Sequence, residues 1–173
     1  MSIAFPMNVL AEGSLYIPRW NVESELLSNG DLYVEEDITF DFSGEFNGAF
    51  REIVLDKTNG TKDIRVFEMV KGKEVEYGKV VGGENGDTQV YEIVEGSNRK
   101  LIKIFSPSED EKKTFRLKYT IKDVSIKYND TGEFNYKFLG DENKTDIDFF
   151  SVNIKLPKDK TNEVKIFAHG PLN

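Results

Sequence analysis

The sequence predicts an all-β fold, specifically an antiparallel β-sandwich of two sheets, immunoglobulin-like or jelly-roll-like in type. Apolar residues recur at alternate positions in many short segments, which places them on one face of a strand. Turns rich in glycine and asparagine separate these segments at intervals of about eight to twelve residues, as in sandwiches. No stretch of helical length repeats its apolar residues with a helical period, so no substantial helix is expected.

Residues 30–53 contain the clearest strand, and the rest of the chain is organised around it. Its inward face is predicted to be Leu32, Val34, Glu36, Ile38, Phe40 and Phe42. Its outward face is Tyr33, Glu35, Asp37, Thr39 and Asp41. Glu36 is therefore the single acid on an otherwise apolar face. We expect this strand to end at Ser43-Gly44, and a separate short strand to follow at residues 50–55.

The other strands follow from the same alternation. Residues 20–27 are joined to the central strand by the Asn29-Gly30 turn, a strong hairpin signal because glycine accepts the positive φ that the turn requires. The remaining predicted strands are residues 63–70, 74–81, 88–95, 99–105, 113–122, 124–128, 150–156 and 164–168, and residues 134–138 are either another strand or an extended aromatic segment. Exposed loops are expected at residues 82–87, at Pro107 with residues 108–111, and at residues 140–148.

The length of 173 residues suits one domain. We divide the chain into an N-terminal segment, residues 1–19, and a single sandwich domain, residues 20–173. Residues 1–11, MSIAFPMNVLA, are apolar and uncharged. They are either the remnant of a secretory signal peptide, which we favour, or a segment that packs on the edge of a sheet.

Composition excludes several classes of function. The net charge is −8, and the lysines and arginines are scattered, so the chain lacks the basic footprint that nucleic acid or an anionic membrane surface requires. Cysteine is absent, which excludes disulfides, thiolate nucleophiles and cysteine-based metal sites. No run of about 18 apolar residues is long enough to span a membrane. We therefore expect no segment of this chain to span a membrane.

Few residues indicate chemistry. His169 is the only histidine, and we interpret it as a surface residue rather than a catalytic base. Carboxylates are abundant, but they lie mostly at outward strand positions or in loops, so a glycosidase-like acid pair is not expected. The 140–148 loop supplies oxygen ligands for calcium from Asp141, Asp146 and Asp148, with Glu142 and Asn143 nearby. Because the ligand order of an EF-hand is missing, we favour an ordinary polar loop and expect no cofactor.

Two further pairs of residues are singled out. A carboxylate on a buried face must be paired or hydrogen-bonded, so Glu36 needs a partner, and Arg51 is the natural candidate. We assign both a structural role. Trp20 and Tyr16 lie at or before the start of the clean alternation, which makes them the candidates for stacking on a sugar or peptide.

The sequence resembles the N-terminal domain of the YciQ-like predicted bacterial membrane proteins, a family labelled as a domain of unknown function. The resemblance runs from about Val22 to the C-terminus. The stretches that carry it are NGDLYVEEDITFDFSGEFNGAFREI, FRLKYTIKDVSIKYNDTGEFNYKFLG, FSVNIKLP and AHGPLN. Its most specific features are Glu36, the FxGxFxGxFR run ending at Arg51, Tyr128-Asn129-Asp130 and His169-Gly170. The family often has tryptophan where Asn135-Tyr136 stands here.

The resemblance implies an exported domain that is preceded by a signal sequence and followed by a membrane anchor and a cytoplasmic segment. It implies no activity. We therefore expect an extracytoplasmic, cell-surface module that binds an unknown protein or envelope ligand without catalysis and without a cofactor. The alternative is an enzyme that acts on cell-wall glycan or peptide with paired carboxylates.

Overall fold

The computed structural model describes residues 13–129, 131–140, 143–157 and 164–165. These residues form ten strands and contain no helix, so the all-β prediction is confirmed. The strands are β1 (Ser14–Leu26), β2 (Leu32–Val54), β3 (Thr61–Val70), β4 (Lys73–Glu76), β5 (Gly78–Val80), β6 (Val90–Glu95), β7 (Arg99–Ile121), β8 (Ser125–Lys127), β9 (Gly132–Phe134) and β10 (Phe150–Lys155).

The prediction of two antiparallel sheets is not confirmed. Eight strands join in one hydrogen-bonded sheet, in which the path β10-β1-β2-β7-β3-β4 is extended by β6 on β7 and by β5 on β6. The sheet is mixed, because β10 runs parallel to β1 and β5 runs parallel to β6. A separate two-stranded sheet consists of β8 and β9. This strand order establishes neither an immunoglobulin nor a jelly-roll type.

Two predicted strand ends are wrong because β-bulges, rather than loops, interrupt the alternation. β2 and β7 are each 23 residues long and pair along most of their length. Their register shifts twice, between Phe42 and Glu45 and between Phe46 and Gly48. Pro107 and residues 108–111 are part of β7, and Pro107 lies opposite the second shift, where a residue without an N–H is tolerated.

β2 folds back on itself at these bulges. Glu36 and Arg51 are separated by 15 residues on this one strand, yet Arg51 Nε lies 2.8 Å from Glu36 Oε1. A straight strand rises about 3.3 Å per residue and would carry these residues roughly 50 Å apart. The first half of β2 therefore faces its second half, and the core lies between the two halves of the bent sheet.

The core consists of the inward residues of both halves. Phe40 and Leu117, from the first half of β2 and the second half of β7, are buried, as the alternation predicts. The other fully buried apolar side chains include Val22, Leu32, Val34, Ile38, Phe42, Ile53, Ile102, Phe115, Tyr119 and Ile121. The predicted 134–138 strand is shorter than expected, and its aromatic residues cover the second half of β2, where the Tyr136 hydroxyl donates to the Val54 carbonyl.

The first strand starts earlier than the sequence predicts. β1 begins at Ser14, earlier than the predicted start at Trp20, because Pro18 and the register shift between Tyr16 and Arg19 hide the alternation there. Residues 1–11 and His169 lie outside the described residues, as does most of the predicted 164–168 strand. Among the residues that are described, there is no helix with the length and hydropathy of a membrane span.

Candidate functional site

Glu36 is the centre of a buried polar cluster with Arg51, Trp20 and Tyr119. β2 contributes Glu36 from its first half and Arg51 from its second, while β1 and β7 contribute the two aromatic residues. The side chains of Glu36 and Arg51 are 0% and 3% exposed. Arg51 Nη2 lies 3.1 Å from Glu36 Oε2, and its Nε lies 2.8 Å from Oε1, so the ion pair is bidentate.

The aromatic members complete the hydrogen bonding of the carboxylate. Trp20 Nε1 donates to Glu36 Oε2 at 3.0 Å, and the Tyr119 hydroxyl donates to Oε1 at 3.2 Å. Arg51 also donates to the carbonyls of Phe138 and Glu52, and its guanidinium lies 4.5 Å from the centre of the Trp20 ring. Every polar atom of this cluster that the fold buries has a partner, which is what a buried ion pair requires.

The surroundings of the cluster determine the protonation states of Arg51 and Tyr119. Burial alone would lower the pKa of Arg51, but the attraction of the Glu36 carboxylate outweighs it, and the pKa is raised. Burial, reinforced by the charge of Glu36, raises the pKa of the Tyr119 hydroxyl well above its usual range. Arg51 therefore remains a cation and Tyr119 a neutral donor at physiological pH. The cluster connects the two halves of the bent sheet and has no atom free for a substrate.

The prediction that Trp20 stacks on a ligand is wrong, because its ring is not accessible. Its side chain is buried, its ring contacts Phe150 edge-on, and Arg51 covers one of its faces. Tyr16 is half-buried, and a hydrogen bond from its hydroxyl to Asp41 raises the pKa of that hydroxyl. Of the two residues predicted as stacking candidates, Trp20 thus lies in the core and Tyr16 is half-buried beside Asp41.

The 140–148 loop is only partly described, since Asp141 and Glu142 lie outside the described residues. Asp146 and Asp148 hold this segment to β1 through their backbone: Ile17 N donates to Asp146 O at 2.8 Å, and Asp148 N donates to Ile17 O at 3.0 Å. Within the described part of the chain, no group of three acidic or histidine side chains is placed to hold a metal ion.

The outer face of the sheet is charged over the first half of β2. Three cross-strand ion pairs form what we call the ionic ladder: Glu35–Lys118, Asp37–Arg116 and Asp41–Lys112, at 3.6, 2.7 and 2.9 Å. A hydrogen bond of 2.8 Å between Thr39 and Thr114 lies within the ladder. Each acid stands opposite a base, so the charges of the two strands balance on this face.

The outer face over the second half of β2 is apolar. The register of β2, β7, β6 and β5 places four residues in one row across the sheet: Phe50, Lys103, Glu92 and Val80. A second row across β2, β7 and β6 consists of Glu52, Leu101 and Val94. The apolar outer face consists of Phe50, Val54, Val80, Val90, Val94 and Leu101. Phe50 is 66% exposed. Four charged side chains lie between these apolar residues on the same face, and they form the ion pairs Lys103–Glu92 and Arg99–Glu52.

Sequence reasoning missed this face, although a signal for it is present. The predicted short strand at residues 50–55 contains both Phe50 and Ile53, and their odd spacing puts them on opposite faces. Ile53 is buried, and Phe50 is the side chain that points outward. Exposed apolar patches of this kind are typical of interaction surfaces.

Comparison with known proteins gives one family match. The family model described as the N-terminal domain of predicted membrane proteins, DUF2207, matches residues 16–173, which confirms the resemblance to predicted membrane proteins. No curated protein matches the chain. A solved protein from Parabacteroides distasonis, described as a candidate protease, is similar over 62% of this chain and 23% of its own, with 12% identity and a TM-score of 0.35. This chain thus spans about a quarter of that protein, and so low a TM-score supports no transfer of fold or activity.

Proposed function

Because this chain belongs to the DUF2207 family, as the N-terminal domain of a predicted membrane protein, we propose that it is an extracytoplasmic, cell-surface interaction module. The module binds another protein of the cell envelope and performs no catalysis. The apolar outer face is the observation that carries this proposal. A sheet face with an exposed phenylalanine and several valines gains free energy when a partner covers it.

The exposed apolar area gives the size of this gain in free energy. Phe50 exposes about 100 Å² of its side chain, and burial of that area contributes roughly 2.5 kcal/mol at 25 cal/mol per Å². A few neighbouring valines on the same face add to this value. By contrast, Glu36, the fully buried acid, is saturated with donors and supports no acid–base step.

The interaction is tested by a pull-down from cell-envelope extracts with the wild-type domain and two variants. Phe50→Ser removes the centre of the apolar outer face. Tyr33→Ser is the matched control, since Tyr33 is also an exposed aromatic residue on β2 but lies beside the ionic ladder. We expect a partner that wild type and Tyr33→Ser retain and Phe50→Ser loses. A partner retained equally by all three, or by none, would contradict the proposal.

A parallel run with calcium and with a chelator tests the calcium hypothesis for Asp141, Asp146 and Asp148. We expect equal retention under both conditions.

The extracytoplasmic placement has its own test, which exploits the absence of cysteine. A cysteine introduced as Lys71→Cys, in the exposed turn between β3 and β4, reports on the compartment. In intact cells that express the full-length protein, we expect a membrane-impermeant maleimide to label this variant. Labelling only after the cells are lysed would place the domain in the cytoplasm.

A further inference from the structure

β10 forms one edge of the large sheet. It pairs with β1 through residues Phe150 to Lys155, in parallel register from Trp20 to Glu25. On the side of β10 that faces away from β1, no strand of the described chain pairs with it. An edge strand presents a row of N–H and C=O groups that can pair with another chain.

The hydrogen bonds to β1 show which backbone groups face outward. The Phe149 carbonyl accepts from Trp20 N at 2.8 Å, and the Asn153 carbonyl accepts from the Ser24 hydroxyl at 3.0 Å. In a parallel ladder, alternate residues bond to the same neighbour. The backbone groups of Phe149, Ser151 and Asn153 therefore face β1. Those of Phe150, Val152 and Ile154 point away from it.

The side chains of β10 divide between the two faces of the sheet. Phe150, Val152 and Ile154 share the inner face with Trp20 and Val22, and Val152 is 37% exposed. On the outer face, Ser151, Asn153 and Lys155 bond to Asn21, Glu23 and Glu25, at 2.9, 2.9 and 3.0 Å.

The strand lacks the usual protection of an edge. Sheet edges are normally blocked by a proline, a bulge or an inward-pointing charge. Between Phe150 and Lys155 there is no proline, the pairing with β1 shows no register shift, and the inward residues are all apolar. The first proline, Pro157, follows the end of the strand. The outward backbone groups of Phe150, Val152 and Ile154 therefore have no strand partner among the described residues and can pair with an added strand.

We propose that the occupant of this edge is β10 of a second copy of the chain, paired antiparallel about a two-fold axis at Val152. The reason is that the strand is self-complementary about that residue. Val152 then lies opposite Val152 of the second copy, Phe150 lies opposite Ile154, and Ser151 lies opposite Asn153. Apolar residues thus meet apolar residues on the inner face, and polar residues meet polar residues on the outer face.

The flanking positions agree with this pairing. Phe149, whose ring contacts Arg19, lies opposite Lys155 of the second copy on the outer face, and Lys155 is neutralised by its ion pair with Glu25. The pairing extends over β10, which ends at Lys155. It joins the sheets of two molecules into one continuous sheet, which is an isologous contact with closed symmetry. This surface is separate from the apolar outer face, so the inference goes beyond the proposed function.

The contact is small, and the dimer is therefore weak in free solution. Six residues on each side bury far less than the roughly 1,200 Å² of a standard interface. Attachment of two copies to one membrane raises their effective concentration and favours the contact there. In solution, we expect a monomer–dimer equilibrium that becomes visible at protein concentrations on the order of 0.1–1 mM.

Sedimentation velocity over this concentration range tests the dimer, with Val152→Pro as the key variant. The N–H of Val152 points away from β1, so proline removes a donor for the second copy without breaking a bond to β1. We expect Val152→Pro to weaken dimerisation at least about ten-fold and to leave the melting temperature nearly unchanged. Ser151→Pro is the matched control, because its N–H faces β1, and this variant should lose thermal stability.

Hydrogen exchange of the wild-type protein gives a second measurement that needs no variant. As the concentration rises, the amides of Phe150, Val152 and Ile154 should become protected, while the amides of Ser151 and Asn153 are protected throughout. A protein that stays monomeric at 1 mM would overturn the proposal. A dimer that Val152→Pro leaves intact, with no change at the three outward amides, would overturn it as well.

Discussion

Replacement of Glu36 by alanine is the sharpest test of how the bent sheet is held together. Glu36→Ala leaves the guanidinium of Arg51 buried without its counter-charge and removes the acceptor of Trp20 Nε1 and of the Tyr119 hydroxyl. The pair joins the two halves of β2, so its loss acts where the sheet folds back on itself. We expect a large fall in stability.

The magnitude follows from the burial of the pair. Removal of one partner from a buried ion pair costs about 3–5 kcal/mol, because an uncompensated charge remains in the interior. The unsatisfied indole and hydroxyl donors add to this cost. For a domain of 173 residues, each kcal/mol lowers the melting temperature by about 2–4 °C, so the predicted fall is roughly 6–20 °C.

Glu35→Ala is the matched control. Glu35 is the neighbouring residue on the same strand, and it belongs to the ionic ladder, where its side chain is 29% exposed. A surface pair of this kind contributes about 0–1 kcal/mol, which corresponds to at most about 4 °C. Both variants are measured by thermal unfolding with the fluorescence of Trp20, the single tryptophan, which is buried beside the pair.

A double variant separates the ion pair from simple loss of packing. Glu36→Leu combined with Arg51→Met replaces both charges by apolar groups of similar length, and we expect it to recover most of the stability that Glu36→Ala loses. Equal melting temperatures for Glu36→Ala and Glu35→Ala would refute the reasoning. The changes Glu36→Leu and Arg51→Met are also measured singly. If the double variant loses as much stability as the two single variants together, the coupling between the residues is refuted.

Two further predictions concern pH and the bend. The hydrogen bond from Lys62 holds the pKa of Asp31 below its usual 3.8, so its ionised form stabilises the fold above that pH and the contribution is lost as pH falls below it. Urea titrations should show Asp31→Asn less stable than wild type by about 1 kcal/mol at pH 7, with the difference shrinking as the pH falls below 3.8, whereas a difference that stays constant into the acid range would contradict this. At Gly48, where φ is 147°, a Cβ would lie 1.8 Å from the Ile104 carbonyl oxygen, so Gly48→Ala should cost more than about 2 kcal/mol. Gly60→Ala, with φ of 83° and open space around it, should cost about 1 kcal/mol, and equal losses in urea unfolding would argue against a steric bend.

The sequence alone predicts the faces of the strands well, because alternation is a local property. Phe40 and Leu117 point inward as expected, and the acids of the ionic ladder point outward. The single acid on the inward face was enough to predict that Glu36 needs a partner. Simple hairpin geometry, however, would have placed Arg51 near Asp41, and only the fold-back of β2 explains its contact with Glu36.

Sheet partners and strand continuity could not be predicted, because they depend on contacts distant in sequence. Gly44 and Pro107 are ordinary turn residues by local criteria, yet β2 and β7 continue through them as bulges. The alternation in residues 150–156 shows a strand but not that it lies parallel to β1 at a sheet edge. For the same reason, alternation could not show that Trp20 is covered by Arg51 rather than exposed.

The bend also determines which part of the outer surface can bind a partner. Over the first half of β2, a partner would have to bury the charges of the ionic ladder, and desolvation costs several kcal/mol for each ion. Over the second half, a partner that covers Phe50 and its apolar neighbours gains free energy in proportion to the apolar area, and only the ion pairs Lys103–Glu92 and Arg99–Glu52 oppose it. One pair of strands thus presents a face that disfavours association and a face that favours it, on either side of the bulges near Gly48. If a partner binds the ionic ladder and does not contact Phe50, then binding at the ladder must gain more free energy, despite its desolvation cost, than apolar burial at Phe50, which is the opposite of what we expect.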